Sequence, residues 1–201
     1  MNTPSPETPK RIRECAAREF AEKGFRGASL RNIVKRAGVT TGAFYGYYKS
    51  KEQLFAALAG EQAEALTAAF VEGQKAMLKA LSEGSPEGFV SANRERLVSM
   101  TAIACDNAET TRLLLMSADG TSYENFIHRM AEAETEATCS LRAGMRGAKQ
   151  LDPYFEHIIL SGMLSSLFEP VIHGAPRERC LKLAEELSDF YGGGLSALMF
   201  T

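Results

Sequence analysis

The chain lacks any run of about 18 apolar residues, the length a helix needs to cross a bilayer, so no membrane span or membrane partner is expected. Its first ten residues are polar, carry three prolines and hold no apolar stretch of the signal-peptide kind. The expected location is therefore the cytoplasm. Cysteine is sparse: Cys15, Cys105, Cys139 and Cys180 lie far apart, with no CxxC pair and no histidine at ligand spacing. That pattern predicts no metal site, and reduced thiols packed as small hydrophobes. A nucleophile elbow, an HExxH motif and a GxGxxG turn are all missing, and His128, His157 and His173 are scattered. Those absences argue against an enzyme and against a bound cofactor. No segment alternates apolar and polar residues long enough for a strand, and there is no internal repeat or low-complexity tract.

What remains is an ordinary soluble composition on a short chain. The 201 residues are 45% hydrophobic and 24% charged, enough for one domain or one domain with a small second module. The net charge of -2 conceals a split. Residues 1–52 hold 11 Lys and Arg against 5 Asp and Glu, while the remainder holds 12 against 20. A basic first quarter on an acidic body suggests that one end meets a polyanion.

The periodicity predicts about nine helices and an all-α fold. Met1 to Thr8 reads as an arm. A first helix from Pro9 to Lys23 buries Ile12, Ala16 and Phe20, and Gly24 is placed to end it. Ser29 caps a second helix with Leu30, Ile33, Val34 and Ala37 inside. Gly38 and Val39 make a tight turn, and Thr40 caps a third, very short helix to Tyr48. Ser50-Lys51-Glu52-Gln53 is a capping box for a long fourth helix. Further helices are expected at Pro86–Cys105, Glu109–Ala118, Thr121–Met145, Asp152–His173 and from Pro176 to the glycines at 192–194. Thr121-Ser122-Tyr123-Glu124 reads as another capping box. The division expected is 1–51 for the arm and the basic head, and 52–201 for a helical body.

Ser29 to Leu54 carries the functional signal. Two short helices across a Gly-Val turn form a helix-turn-helix pattern. The second of them holds Gly42, Gly46 and two threonines, a composition that persists as helix only when packing holds it. Phe44 and Tyr48, four apart, are its inward anchors. Thr41, Gly42, Ala43, Tyr45 and Tyr47 lie on the other face. Small residues there permit close approach to a groove, and tyrosine hydroxyls can reach phosphates. Lys51 adds charge at the start of the next helix.

This segment resembles the DNA-binding domain of the TetR family of bacterial transcriptional regulators. The likeness covers Arg11 to Leu58 and rests on Phe20-x-x-x-Gly24-Phe25, Ile33-x-x-x-Ala37-Gly38-Val39, Gly42-x-Phe44-Tyr45-x-Tyr47-Tyr48 and Lys51-x-x-Leu54. The remaining two-thirds of the chain matches nothing specific. The resemblance implies a three-helix DNA-binding domain followed by a helical ligand and dimerisation domain. It implies that Ser29 touches phosphate, that Arg31 can reach a base edge and that Thr40, Thr41 and Ala43 face bases. Tyr45, Tyr47 and Lys51 would contact phosphates. Arg31 also reads as a solvated or paired surface arginine. Gly46 stands where family members often carry a bulkier residue, and Tyr48 replaces a common phenylalanine.

The resemblance further implies a homodimer through the last two long helices, bound to an inverted-repeat operator in double-stranded DNA. Ile158, Gly162, Ser165 and Ser166 on one, and Leu181, Ala184, Leu187 and Tyr191 on the other, permit such packing. Scattered methionines suit an adaptable apolar cavity for a small-molecule effector. Phe89, Met100, Met116, Tyr123, Phe126, His128 and Met163 are its candidate lining, each of which also reads as core. The function expected is a transcriptional repressor released by a mostly apolar ligand. Alternatives are a cysteine-based redox regulator using Cys105 or Cys139, an activator on the same scaffold, and a DNA binder without sequence preference.

Overall fold

The structure, a computed structural model, describes residues 7–145 and 149–200. Among the described residues there are nine helices and no strand. They are α1 (Glu7–Gly27), α2 (Leu30–Arg36), α3 (Thr41–Tyr47), α4 (Lys51–Ser82) and α5 (Pro86–Asp106). They continue with α6 (Ala108–Met116), α7 (Phe126–Gly144), α8 (Pro153–Ile172) and α9 (Arg177–Met199). The fold is all-α. Of the expected arm, residues 1–6 lie outside the described residues, and Glu7 and Thr8 already belong to α1.

The chain forms two compact units. One takes the N-terminal residues through Ala63 together with Glu109–Asn125; the other takes Glu64–Ala108 and Phe126 onward. The first unit is therefore wider than a 1–51 head, because it includes the start of α4, nearly all of α6 and the turn after it.

In the first unit, α1 buries Ile12, Ala16 and Phe20 completely. Gly24 interrupts it at φ 67, a left-handed conformation that a β-carbon would strain, and the helix resumes to Gly27. The interruption swings Phe25 inward: its ring lies 5.8 Å from Phe20 and 5.6 Å from Phe55, and its N–H donates to the Ser117 carbonyl at 2.8 Å. Tyr123 extends this aromatic cluster, 6.2 Å from Phe55.

The expected helix start at Thr121 is corrected to Phe126. Thr121 Oγ1 accepts from the Tyr123 N–H at 3.0 Å, and Glu124 accepts from the Gly120 N–H at 2.8 Å. These bonds close a turn instead of capping a helix, and Asn125 at φ 57 keeps the turn separate from α7.

In the second unit, Ser85 Oγ accepts from the Gly88 N–H and Asp152 Oδ1 from the Tyr154 N–H, the side-chain caps that Ser-Pro and Asp-Pro predicted. The expected stop of α9 at Gly192–Gly194 is overturned, since α9 runs on to Met199. Packing overrides propensity: Gly192 is buried, and a β-carbon there would sit 3.4 Å from Val90 Cγ1. Glycine lets α9 lie close to α5, and Leu195 and Met199 continue the buried stripe. Two buried ion pairs, Arg96 with Glu134 and Arg142 with Glu156, tie helices of this unit together. α4 and α8 each contain an 18-residue window of mean hydropathy 1.2, long and apolar enough to cross a membrane by length and composition. That corrects the expectation that no segment qualifies. Within the chain part of each helix is spent on buried packing, Leu54, Phe55, Leu66 and Phe70 on α4 and Leu160, Leu164 and Phe168 on α8.

Candidate nucleic-acid interface and cavity

The helix-turn-helix is built by local bonds. Ser29, extended at φ -99, accepts from the Asn32 N–H through Oγ at 3.4 Å and starts α2. Ile33 and Val34 face inward. Gly38 at φ 65 turns the chain, and the Val39 N–H returns to the Val34 carbonyl at 3.0 Å. Thr40 caps α3, its Oγ1 accepting from the Ala43 N–H at 3.1 Å. Phe44 is fully buried and Tyr48 nearly so, with ring centres 5.7 Å apart, so these two anchor the seven-residue helix as expected.

Thr41, Gly42, Ala43 and Tyr45 then lie exposed together along α3, with Thr40 beside them and Tyr47 half-buried. Arg31 is exposed on α2, and Ser29 is half-buried with its hydroxyl oxygen already accepting. Lys49 reaches back to the Tyr45 carbonyl at 3.4 Å and adds an exposed cation at the C-terminal end of α3. In the capping box, Ser50 Oγ accepts from the Gln53 N–H, and the Gln53 amide oxygen accepts from the Lys49 N–H. A helix face of small side chains flanked by tyrosine hydroxyls and cations can enter a groove and grip phosphates.

Lys51 departs from its expected role. Its Nζ donates to the Phe25 carbonyl at 2.6 Å and the Ala28 carbonyl at 3.0 Å, and lies 3.5 Å from the Arg26 carbonyl. It also sits 4.5 Å from the Phe25 ring centre. Partial burial pushes its pKa down. The ammonium satisfies carbonyls at the end of α1, where a cation also meets the negative end of the helix dipole. In this conformation it offers little to a phosphate.

Glu19 was not singled out from the sequence. It is fully buried, and one oxygen accepts from Lys23 Nζ at 2.8 Å, the Ser29 N–H at 3.2 Å and Asn32 Nδ2 at 3.3 Å. The other oxygen is 3.4 Å from Arg36 Nη1. Lys23, then the Ser29 N–H, hold its pKa down at about 2 against the opposing effect of burial. The signal was present: residue 19 is three beyond Ala16, on the buried side of α1.

The second unit holds a narrow apolar cavity whose empty space is ≈ 310 Å³ when the part open to solvent is counted, with enclosed room for about one water. Met77, Leu81, Phe89, Leu160, Leu195 and Met199 line it, with Gln74, Glu134 and Thr138 as polar members. Of the candidate lining residues only Phe89 is among them. Met100 and Met163 are buried elsewhere in the core, and Phe126 is buried at the start of α7. Met116 is 64% exposed, Tyr123 packs on Phe55 in the first unit, and His128 is exposed on α7. Helical periodicity marks a buried face but does not say which buried face leaves a gap, and that is why methionines at 77 and 199 were missed.

Two of the thiols are held toward their protonated form. Burial, followed by the neighbouring Cys180 thiol, pushes Cys105 up to about 11. Burial and then the Glu156 carboxylate push Cys139 up. Both shifts disfavour the reactive thiolate.

The fold and site together define a helix-turn-helix domain at the head of an all-helical chain. Residues 12–58 match the bacterial regulatory proteins of the tetR family. The chain is 45% identical over 58 residues to the HTH-type transcriptional regulator YdgC of Bacillus subtilis (strain 168), which covers 29% of this chain and 30% of that protein. It is 44% identical over 52 residues to the HTH-type transcriptional repressor AcnR of Corynebacterium diphtheriae, covering 26% and 27%. The chain thus spans less than a third of these curated relatives. The crystal structure of a TetR family member from Streptomyces coelicolor A3 superposes with a TM-score of 0.59 over 96% of this chain and 94% of that one, at 18% identity. A transcriptional regulator from Aquifex aeolicus VF5 gives 0.55 over 91% and 98%, at 21% identity. These two share the fold along nearly the whole chain. Over residues 12–58 the chain is thus similar to the bacterial regulatory proteins of the tetR family, and over the rest the likeness is one of fold.

Proposed function

We propose that the protein is a cytoplasmic, dimeric, sequence-specific DNA-binding regulator, and that it represses transcription until a small apolar ligand releases it from an inverted-repeat operator. The observation that carries this reading is the exposed face of α3. Thr41, Gly42, Ala43 and Tyr45 stand exposed on it while Phe44 and Tyr48 are buried, and the Tyr45 ring rests edge-on against Phe44 with its hydroxyl end outward. Thr40, Thr41, Ala43 and, from α2, Arg31 are the base-facing positions, with an arginine able to bond guanine bidentately. Ser29, Tyr45 and Tyr47 hold phosphates. Lys51 acts on the head indirectly, by fixing the end of α1. The likeness to a named repressor supports repression as the output.

One head reads too few bases, and a two-fold dimer sets two of them about 34–36 Å apart on successive major grooves. The second unit offers a surface for it: Tyr154 and Phe190 are each 74% exposed, and Ile158 is half exposed on the same face of α8 as Tyr154. Large apolar side chains left in water on two helices favour burial against a second copy. Phe190→Glu and Ile158→Glu together are expected to shift the protein from dimer to monomer in sedimentation and to weaken DNA binding at least 100-fold. An unchanged dimer would remove this face from the account.

The cavity supports the ligand class. Its lining is predominantly apolar; Glu134 is held by Arg96 and Thr138 Oγ1 donates to the Glu134 carbonyl, so Gln74, whose buried Nε2 has no partner, is the polar group left to orient a small molecule. A ligand binding one head spacing more tightly than another would shift the population away from the DNA-competent form. α4 is shared between the two units, which makes it the segment best suited to carry that shift.

A further inference from the structure

On the surface of the second unit, α7 and α8 bring two imidazoles together. His157 Nε2 lies 3.2 Å from His128 Nδ1, with the rings nearly perpendicular at 82° and their centres 4.6 Å apart. The other nitrogen of His128, Nε2, is 3.2 Å from Glu132 Oε1, one turn further along α7. His128 is exposed and His157 half-buried, so solvent reaches the pair.

Two features of the pair bear on metal binding. The first is the separation of its two nitrogens. Two imidazole nitrogens each about 2.0–2.1 Å from one ion, and 90–110° apart around it, lie about 2.9–3.4 Å from each other. The observed separation falls in that window. The second feature is Glu132. A histidine that ligates a metal commonly gives its remaining ring N–H to a carboxylate, which fixes the tautomer that leaves the ligating nitrogen free. Glu132 is placed to do this for His128, selecting Nδ1 as the free nitrogen.

We propose that His128 Nδ1 and His157 Nε2 form a seat for a first-row transition-metal ion of the zinc, nickel and copper class, with Glu132 orienting His128. Imidazole suits these ions and does not suit magnesium or calcium. Among the described residues no three His, Cys, Asp or Glu side chains converge as a complete site. The protein therefore supplies two ligands, and water fills the remaining positions. The ion links α7 to α8.

The test is calorimetric titration of the full chain with zinc, nickel and magnesium chlorides, for the parent and for His128→Ala, His157→Ala and Glu132→Gln. One zinc or nickel ion is expected per chain, with no saturable magnesium binding. Either histidine variant should bind at least 10-fold more weakly, and Glu132→Gln about 10-fold more weakly. Zinc should raise the thermal midpoint of the parent and not that of the two histidine variants, because only the native pair gains from the ion. With copper, electron paramagnetic resonance should show two coupled nitrogens in the parent and one in either variant. These side chains lie on the surface, so circular dichroism of the variants should match the parent. Affinity that is equal in parent and histidine variants, whether from binding at thiols or from none, overturns the proposal.

Discussion

Glu19 shows how one buried charge organises the helix-turn-helix. It joins α1 to the start of α2 through the Ser29 N–H and Asn32, and draws in Lys23 and Arg36. Its carboxyl ionises at about 2 in the folded chain, below the ordinary 4.5. A lowered folded pKa means a contribution to stability that is complete above about 4.5 and is lost as pH falls toward about 2. Acid unfolding followed by circular dichroism should show this loss in the parent, while Glu19→Gln should be less stable at neutral pH and less pH-dependent between about 4.5 and 2. An identical acid profile in the variant would contradict the role. Lys51 makes a second test at this scale. Lys51→Met keeps the stem over Phe25 and removes the ammonium from the carbonyls of Phe25 and Ala28. It should cost about 1–3 kcal/mol of stability while leaving the salt slope of DNA binding unchanged. A phosphate contact would instead lower that slope by about one unit.

Helix α3 is the element on which the proposed DNA recognition rests, and it is weak by composition. Gly46 has no atom within 4 Å of where a β-carbon would stand and is exposed, so Gly46→Ala should raise stability by about 1 kcal/mol through helix propensity. If the backbone approaches DNA closely there, the same change should weaken operator binding. Thermal unfolding and fluorescence anisotropy on the one variant would show opposite signs; a variant both more stable and unimpaired in binding would remove position 46 from the interface. Elements of this kind were legible in sequence because their determinants are local. Ser29, Gly38, Thr40 and the pair Phe44 and Tyr48 each act within a few residues, and each sits as its chemistry predicts. The misreadings have a common cause in long-range packing. Gly192–Gly194 looked like a stop and continue as helix because α9 lies close to Val90. Thr121–Glu124 looked like a cap and is a turn closed by Gly120 and Ala118. Lys51 looked free and is taken up by carbonyls some 25 residues earlier. The cavity was least legible, since Met77, Leu195 and Met199 come from distant helices.

At the scale of the whole molecule, the charge split fits the proposed division of labour. The basic N-terminal quarter carries the exposed face of α3, and the acidic remainder carries the cavity and the apolar surface of Tyr154, Ile158 and Phe190. A dimer through that surface would explain why a head with so few base-facing residues suffices, because two half-sites multiply the selectivity of each. The most direct measurement is selection of sheared genomic DNA on the purified protein at moderate salt, after unfolding and refolding to strip bound ligand, with the retained fragments sequenced. The account predicts strong enrichment of fragments sharing one inverted repeat, with half-site centres about one DNA turn apart. Retention of all sequences alike, or of none, would contradict it.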